Sequence, residues 1–337
     1  MQAFYSDHFV LPLPPGHRFP MQKYARLRER VAGELPHVAL TEALPADDGM
    51  LGRVHAHDYV VRVSTGALNP KEQREIGFPW SPQMVERSRR SAGATLAACR
   101  AALAQGVAVN LAGGTHHAYA DRGEGFCVFN DAAVAARAVQ ADLGAGTRVA
   151  IIDLDVHQGN GTAAIFEHDP SVFTLSLHGE HNYPFRKARS DLDVALPDGC
   201  GDDDYLVALG HALTDLFAQF TPTLAIYLAG ADPLENDRLG RLALTHDGLL
   251  ARDRSVLTAC AERGVPVAIA MAGGYGRDIE QTVAAHFGTV RLASQFHRSG
   301  RRFHRPPSAQ PTSSPPPSTM SGPARPAHSA QQGDVFV

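Results

Sequence analysis

The chain has 337 residues, 44% hydrophobic and 20% charged, with 31 Lys+Arg against 35 Asp+Glu and a formal net charge of −4. That length can bury a large core, the acidic balance argues against a nucleic-acid surface, and no apolar run reaches transmembrane length. The cysteines at 99, 127, 200 and 260 contain no Cys-x-x-Cys pair, and Met1 to Val10 has no signal-peptide pattern, so a cytoplasmic protein in a reducing compartment is expected, without a thiolate zinc knuckle.

In chain order, residues 1–80 read as rich in loops, with Pro12, Pro14, Pro15 and Pro20 around Gly16-His17-Arg18. Met21 to Leu35 is a basic amphipathic helix candidate. His55 and His57, two apart, suit helix initiation as well as metal binding, because no helix puts both on one face. Ser81-Pro82 opens a long alanine-rich helix to Gln105, with serine as cap and proline in the first turn. A strand over Val107–Leu111 leads into Gly113-Gly114-Thr115-His116-His117. A helix follows over Asp131–Leu143, then a β-branched strand over Val149–Asp155 and a short helix over Thr162–Glu167. Val172–Leu177 is a strand ending in Ser176-Leu177-His178. Asp202–Phe220 is a helix, Thr223–Leu228 a strand ending at Ala231-Asp232, Asp247–Arg263 a helix, Val265–Met271 a strand ending at Gly273-Gly274-Tyr275, and Arg277 to about Phe296 the last helix.

Alternating strands and helices predict an α/β domain over residues 1–297: one open, mostly parallel sheet with helices on both faces. From Arg298 to Val337 the chain turns Pro/Ser-rich and basic, and is expected to be a disordered tail.

Four strand ends carry the unusual residues: His116-His117, Asp153/Asp155/His157, Asp232 and Tyr275. In a parallel sheet the carboxyl ends share one edge, so these residues can meet. Asp153, Asp155 and His157, at i, i+2 and i+4, would point to one side of an extended chain. Asp155, His157 and Asp232 would offer a metal three ligands, suited to zinc or a harder divalent ion, and leave a position for water. His116 and His117 could act as acid and base, and Tyr275 could hydrogen-bond a developing oxyanion. Singly, each has a bland reading: a solvated strand end, a packed histidine pair, a turn before Pro233. Four in succession on one edge point to hydrolysis of an amide.

Gly114-Thr115-His116-His117-Ala118, Asp153-Leu154-Asp155-Val156-His157, Asp232-Pro233-Leu234-Glu235-Asn236-Asp237-Arg238-Leu239-Gly240 and Ala272-Gly273-Gly274-Tyr275 resemble signatures of the histone deacetylase family, of the arginase/deacetylase fold. The resemblance covers about residues 3 to 296. His157-Gln158-Gly159-Asn160-Gly161 and Glu235 to Gly240 look most like the class IV branch and its bacterial relatives.

The resemblance implies one zinc ion on Asp155, His157 and Asp232, with His117 as general base and acid and His116 assisting electrostatically. It implies that Asp153 pairs with His116 and helps hold a structural potassium ion (K+), with backbone carbonyls of Asp155, His157 and Leu177 and the Ser176 hydroxyl. Tyr275 would donate to the substrate carbonyl. Gly125, Phe126 and Cys127 would line an acyl-lysine tunnel, with Tyr183 on the opposite wall, Leu239 at the mouth and Arg18 at an internal product channel. The implied substrate is an acylated lysine in a protein or peptide, or a small acylated amine such as an acetylated polyamine. No nucleic-acid or membrane partner is implied, and a non-catalytic zinc-binding module is the remaining alternative.

Asn160 stands where most of that family has an aspartate beside the catalytic histidine. A neutral amide orients the ring without favouring imidazolium, so His117 should titrate lower than beside a carboxylate. A two-manganese ureohydrolase of the same fold would need carboxylates where this chain has Gly159 and Leu234.

Overall fold

The computed structural model describes residues 1–299; the expected tail, apart from Arg298 and Ser299, lies outside them. The strands are β1 (Gln2–Tyr5), β2 (Ala39–Glu42), β3 (Val107–Asn110), β4 (Val149–Asp153), β5 (Val172–Gly179), β6 (Leu192–Leu196), β7 (Leu224–Leu228) and β8 (Val267–Ala270). The helices are α1 (Gln22–Glu34), α2 (Asp48–Leu51), α3 (His57–Thr65), α4 (Pro70–Ile76), α5 (Pro82–Gln105), α6 (Asp131–Leu143), α7 (Asn160–Phe166), α8 (Asp202–Gln219), α9 (His246–Glu262) and α10 (Ile279–Arg298). Eight strands form one sheet in the order β2-β1-β3-β8-β7-β4-β5-β6, and every pairing is parallel.

The central strands are buried on both faces, and their alternation sorts side chains between two layers. In β4, Ala150 and Ile152 face a core shared with α1, α8, α9 and α10, while Val149 and Ile151 face one shared with α5 and α6. The second layer is built from small residues: Ala94, Ala98 and Ala102 of α5 meet Ala132, Ala135 and Ala136 of α6. Ser81 caps α5 by accepting from Met84 N, and Pro82 occupies its first turn, as the sequence predicted.

The loop-rich reading of residues 1–80 is overturned, since this segment holds two strands and four helices. β1 and β2 are four residues each and contain no β-branched pair to announce them; β2 is the mostly exposed edge of the sheet. The edge strand β6 was also unforeseen, its alternation being only Leu192, Val194 and Leu196.

β3, β8, β7 and β4 are consecutive in the sheet, so the loops leaving their carboxyl ends are neighbours. This brings residues from positions near 116, 155, 232 and 275 to one place.

Candidate active site

β4 stops at Asp153, two residues before the predicted end. Asp153 Oδ1 accepts the N–H of Asp155 at 3.1 Å, and Asp155 Oδ1 accepts that of His157 at 3.0 Å. These two side-chain turns curl the chain out of the sheet, because short carboxylates compete with the ladder for nearby N–H groups. The three residues therefore do not share one face of an extended strand. Asp153 Oδ2 turns to His116 Nδ1 at 2.6 Å, while Asp155 and His157 face Asp232.

Asp155, His157 and Asp232 are buried, and one ligand atom from each lies within 4.8 Å of the others. His157 Nδ1 is 2.9 Å from Asp155 Oδ1 and 3.3 Å from Asp232 Oδ2, and the latter oxygen accepts no hydrogen bond. Burial, and then the charge of Asp155, push the Asp232 carboxyl up to about 7. Burial would lower the His157 imidazole, but the two carboxylates override it and raise it to about 10. The cluster thus demands a positive charge. Two carboxylates and an imidazole of this kind fit a zinc ion. Gly273 keeps the space open: a methyl there would lie 1.9 Å from Asp232 Oδ2.

The rings of His116 and His117 stand 4.1 Å apart. Burial acts to lower His116, and the carboxylates of Asp153 and Asp155 outweigh it, raising it to about 9. His117 goes the other way: burial, then the neighbouring His116 and His157, hold it well below 6.5. His117 Nδ1 donates to Asn160 Oδ1 at 2.6 Å. Both donors of that amide are engaged, Nδ2 to Tyr119 Oη at 3.0 Å and to Glu124 Oε1 at 2.5 Å. The amide therefore presents oxygen to His117, fixing the proton on Nδ1 and leaving Nε2 as a lone pair.

Tyr275 is buried, its ring 6.3 Å from that of His157. Burial and the charges of Asp155 and Asp232 keep the phenol protonated far above neutral pH. Its backbone N–H donates to Asp237 Oδ2 at 2.6 Å, and Arg238 Nε donates to its carbonyl at 2.9 Å. Behind it, the buried Lys23 gives Nζ to the carbonyls of Ala272 and Gly274 at 3.1 and 3.4 Å. Ala272 adopts a left-handed φ of 52°, uncommon for a side-chain-bearing residue, and this lysine answers the carbonyls that the turn directs inward.

Phe126 also has a left-handed φ, 66°, and its N–H is tied to Ile76 O at 2.8 Å. Its ring lies 6.0 Å from that of Tyr275, and Tyr183 crosses His117 edge-on at 4.9 Å. Gly125 is required between them: at φ 57° a methyl would lie 2.6 Å from His117 Cδ2. Cys127 lines the inner end of the cavity, and burial pushes its thiol well above its usual range, so it is inert. Phe126, Tyr183 and Leu239 line the outer cavity, which reaches down to His117, His157 and Tyr275.

Ser176 lies opposite Asp153 in the β4–β5 register, its Oγ 3.0 Å from His178 Nδ1, and Leu177 is buried beside it. Arg18 is not at an internal channel; it lines the outer cavity. The inner cavity holds Arg87 of α5 instead, with its guanidinium 4.8 Å from the ring of Tyr24. Among the described residues His55 joins no cluster of possible metal ligands; its Nε2 accepts the N–H of Asn130 at 3.0 Å. Sequence reasoning gave no role to Glu124, Asp237, Lys23 or Arg87. Asp237 did lie within a quoted motif, two residues before Leu239, which was the available signal.

The model of the histone deacetylase domain matches residues 17–290. The chain belongs to the histone deacetylase family. It is 45% identical over 300 residues to an uncharacterized protein of Picosynechococcus, covering 88% of this chain and 97% of that one. It is 34% identical to a histone deacetylase-like amidohydrolase of Pseudomonas aeruginosa, covering 78% and 74%. A solved histone deacetylase homologue complexed with SAHA superposes with a TM-score of 0.75 at 25% identity, covering 88% of each chain. The open, parallel α/β sheet predicted from strand–helix alternation is the one observed, and it is the arginase/deacetylase fold that the motif resemblance implied. Among the described residues of this deacetylase-family chain, no helix is long and apolar enough to cross a membrane.

Proposed function

We propose that the protein is a zinc-dependent amidohydrolase that removes acetyl or longer acyl groups from lysine side chains. The observation that carries this reading is one cavity lined together by His157 of the buried Asp155–His157–Asp232 cluster, by His117, whose Nδ1 is bonded to Asn160, and by Tyr275. Asp155, His157 and Asp232 would hold zinc, which when bound supplies Lewis-acid polarisation of the scissile carbonyl and acidifies a water. His117, its Nδ1 proton fixed by Asn160, would take a proton at Nε2 from the attacking water and return it to the departing amine. His116, held cationic by Asp153, would stabilise the negative charge that develops nearby. Tyr275 would donate its phenolic proton in a hydrogen bond to the carbonyl oxygen as it becomes an oxyanion.

Phe126 and Tyr183 would flank the lysine methylenes, with Gly125 and Cys127 deeper and Leu239 at the mouth. Asp153, Ser176 and the carbonyls of Asp155, His157 and Leu177 would hold the structural potassium. The Gln158-Gly159-Asn160 sequence favours the class IV branch, and with it the possibility of long fatty-acyl groups.

The test is hydrolysis of peptides bearing acetyl-, butyryl- and myristoyl-lysine, together with acetylated polyamines, by the zinc-loaded protein. Tyr275→Phe and His117→Ala are the controls. Turnover of one acyl class, lost in both variants, is the expected result. One zinc per chain with no turnover of any member would overturn the lysine deacylase reading and favour a small-molecule amide or a binding role.

A further inference from the structure

The cavity that opens outward from Tyr275 has a volume of about 840 Å³, and its lining is unequal in charge. Arg18, Arg74, Arg238 and Arg241 line it, against the single carboxylate of Glu75. All four arginines are exposed, and they come from three separate segments: the loop before α1, helix α4 and the loop after β7. Nearby acids cancel little of this. Glu75 lies 3.7 Å from Lys71, and Asp198 is shared between Arg241 at 3.1 Å and His181 at 3.3 Å. Arg238 spends its Nε on the Tyr275 carbonyl. Among the described residues, neither Arg18 nor Arg74 has a carboxylate within ion-pair distance. The whole chain carries −4, so a positive rim is not a by-product of a basic protein. Phe185, 86% exposed, lines the same cavity and offers an apolar contact beside the charge.

We infer that this mouth selects an acylated lysine carried in an acidic stretch of protein or peptide, and disfavours basic tails and polyamines. The inference rests on the amidohydrolase reading above and adds the substrate class. Residues flanking a lysine in the tunnel must lie within about 10 Å of the rim, inside one Debye length at ~0.1 M salt. Asp or Glu there meet unpaired guanidinium groups and can be held bidentately. Lys, Arg or a polyamine's further ammonium groups meet like charge. Rim charges act on encounter and binding, so the discrimination belongs in KM, with kcat little changed.

The experiment uses the full-length, zinc-loaded chain and peptides of one length with a central acetyl-lysine, flanked by Asp/Glu, by Ser/Ala or by Lys/Arg. A parallel set carries myristoyl-lysine, and acetylated spermidine is included. The expected order of kcat/KM is acidic, neutral, basic, with about tenfold or more between the extremes at low salt and near parity at ~1 M salt. The double charge reversal Arg18→Glu/Arg74→Glu is expected to invert the order. Equal kcat/KM across the three peptides, or a preference for the basic one, would overturn the inference. Failure to turn over even the neutral peptides would strike the amidohydrolase reading instead. Charge selection is then read from binding of the same fluorescently labelled peptides by anisotropy, where equal affinities would overturn it as well.

Discussion

Glu124 and Asn160 form the outer part of a hydrogen-bonded chain that ends on His117. Glu124 Oε1 accepts from Asn160 Nδ2 at 2.5 Å, and Asn160 Oδ1 accepts from His117 Nδ1 at 2.6 Å. The carboxylate acts on the imidazole only through the amide, whose orientation it fixes. Glu124→Ala removes that constraint and lets the amide turn its NH2 toward His117, which would force the proton onto Nε2. The expected result is a loss of kcat of about tenfold or more, equivalent to roughly 1.4 kcal/mol, with the melting temperature little changed. Glu124→Gln, which keeps an acceptor oxygen, should restore most of the rate. Wild-type kcat in Glu124→Ala would refute the orienting role.

The same chain decides how His117 titrates. Burial and the neighbouring cationic rings hold it well below 6.5, and the neutral amide does little to oppose them. A carboxylate at position 160 would favour imidazolium and raise this pKa. The base must be unprotonated to act, so activity is lost below its pKa, and the acidic limb of the pH–rate profile should move to higher pH. Asn160→Asp alone puts two carboxylates 2.5 Å apart, where both cannot ionise freely. The clean variant is Asn160→Asp/Glu124→Gln. An acidic limb unmoved in kcat/KM would show that His117 is not the base.

What the sequence revealed and concealed follows from the range of the interactions. β-Branched runs, caps and glycines are local, so the strands β3, β4, β5, β7 and β8 and the helices α5 and α6 were readable. The proximity of Asp155, His157 and Asp232 was readable because each follows the carboxyl end of a strand that the sequence marks. Lys23 was not: in sequence it belongs to a basic amphipathic helix, and only its contacts with the carbonyls of Ala272 and Gly274, 249 and 251 residues away, mark it as buried. Arg87 likewise reads as a solvated helix residue. Glu124 acquires its role through an amide 36 residues on. The curl after Asp153 was hidden because alternation predicts an extended chain and is silent on side chains that capture backbone N–H groups.

Asp237 ties Leu239 and Gly240, at the outer cavity, to Tyr275. Its Oδ1 accepts the N–H groups of Leu239 and Gly240 at 2.8 and 3.0 Å, and its Oδ2 accepts that of Tyr275. Asp237→Ala strands three N–H groups, each costing about 1–3 kcal/mol where water cannot reach it. A lower melting temperature and a kcat reduced by about tenfold or more are expected, because a misplaced phenol would no longer reach the carbonyl oxygen it is proposed to stabilise. Asp237→Asn, retaining one acceptor, should fall between. A variant that loses stability but keeps full kcat in the remaining folded protein would show that the clamp serves the loop and not Tyr275.

His55, outside the Asp155–His157–Asp232 cluster, supplies a pH dependence of its own. Burial lowers its pKa from 6.5 to about 4, and the carbonyls of Tyr119 and Ala120 offset this only in part. Below pH 6.5 the unfolded chain gains a proton that the folded chain refuses, so the contribution is intact above 6.5 and lost as pH falls toward 4. The full effect is up to roughly 3 kcal/mol. His55→Gln, which can still accept from Asn130 N, should flatten the fall in stability measured by urea unfolding across that range. Parallel pH profiles for the two proteins would rule this histidine out.

Asp232 should show opposite effects with and without metal. Its Oδ1 accepts the N–H of Val156 at 3.0 Å, while its Oδ2 is buried, accepts no hydrogen bond and faces Asp155 and His157. Without a cation, that charge opposes folding at pH 8, above the value of about 7 to which burial and Asp155 raise the carboxyl. Asp232→Asn keeps the Val156 bond and removes the charge, so the chelator-treated variant should melt above the chelator-treated wild type. Zinc reverses the ranking: a ligand at a hundred times its Kd stabilises by about 2.7 kcal/mol, and only the wild type should gain it. Melting curves of both proteins, with chelator and with zinc, give the four values needed. A zinc-induced rise of equal size in Asp232→Asn would remove Asp232 from the ligand set, and a destabilised chelator-treated variant would show that its carboxylate serves the fold rather than the metal.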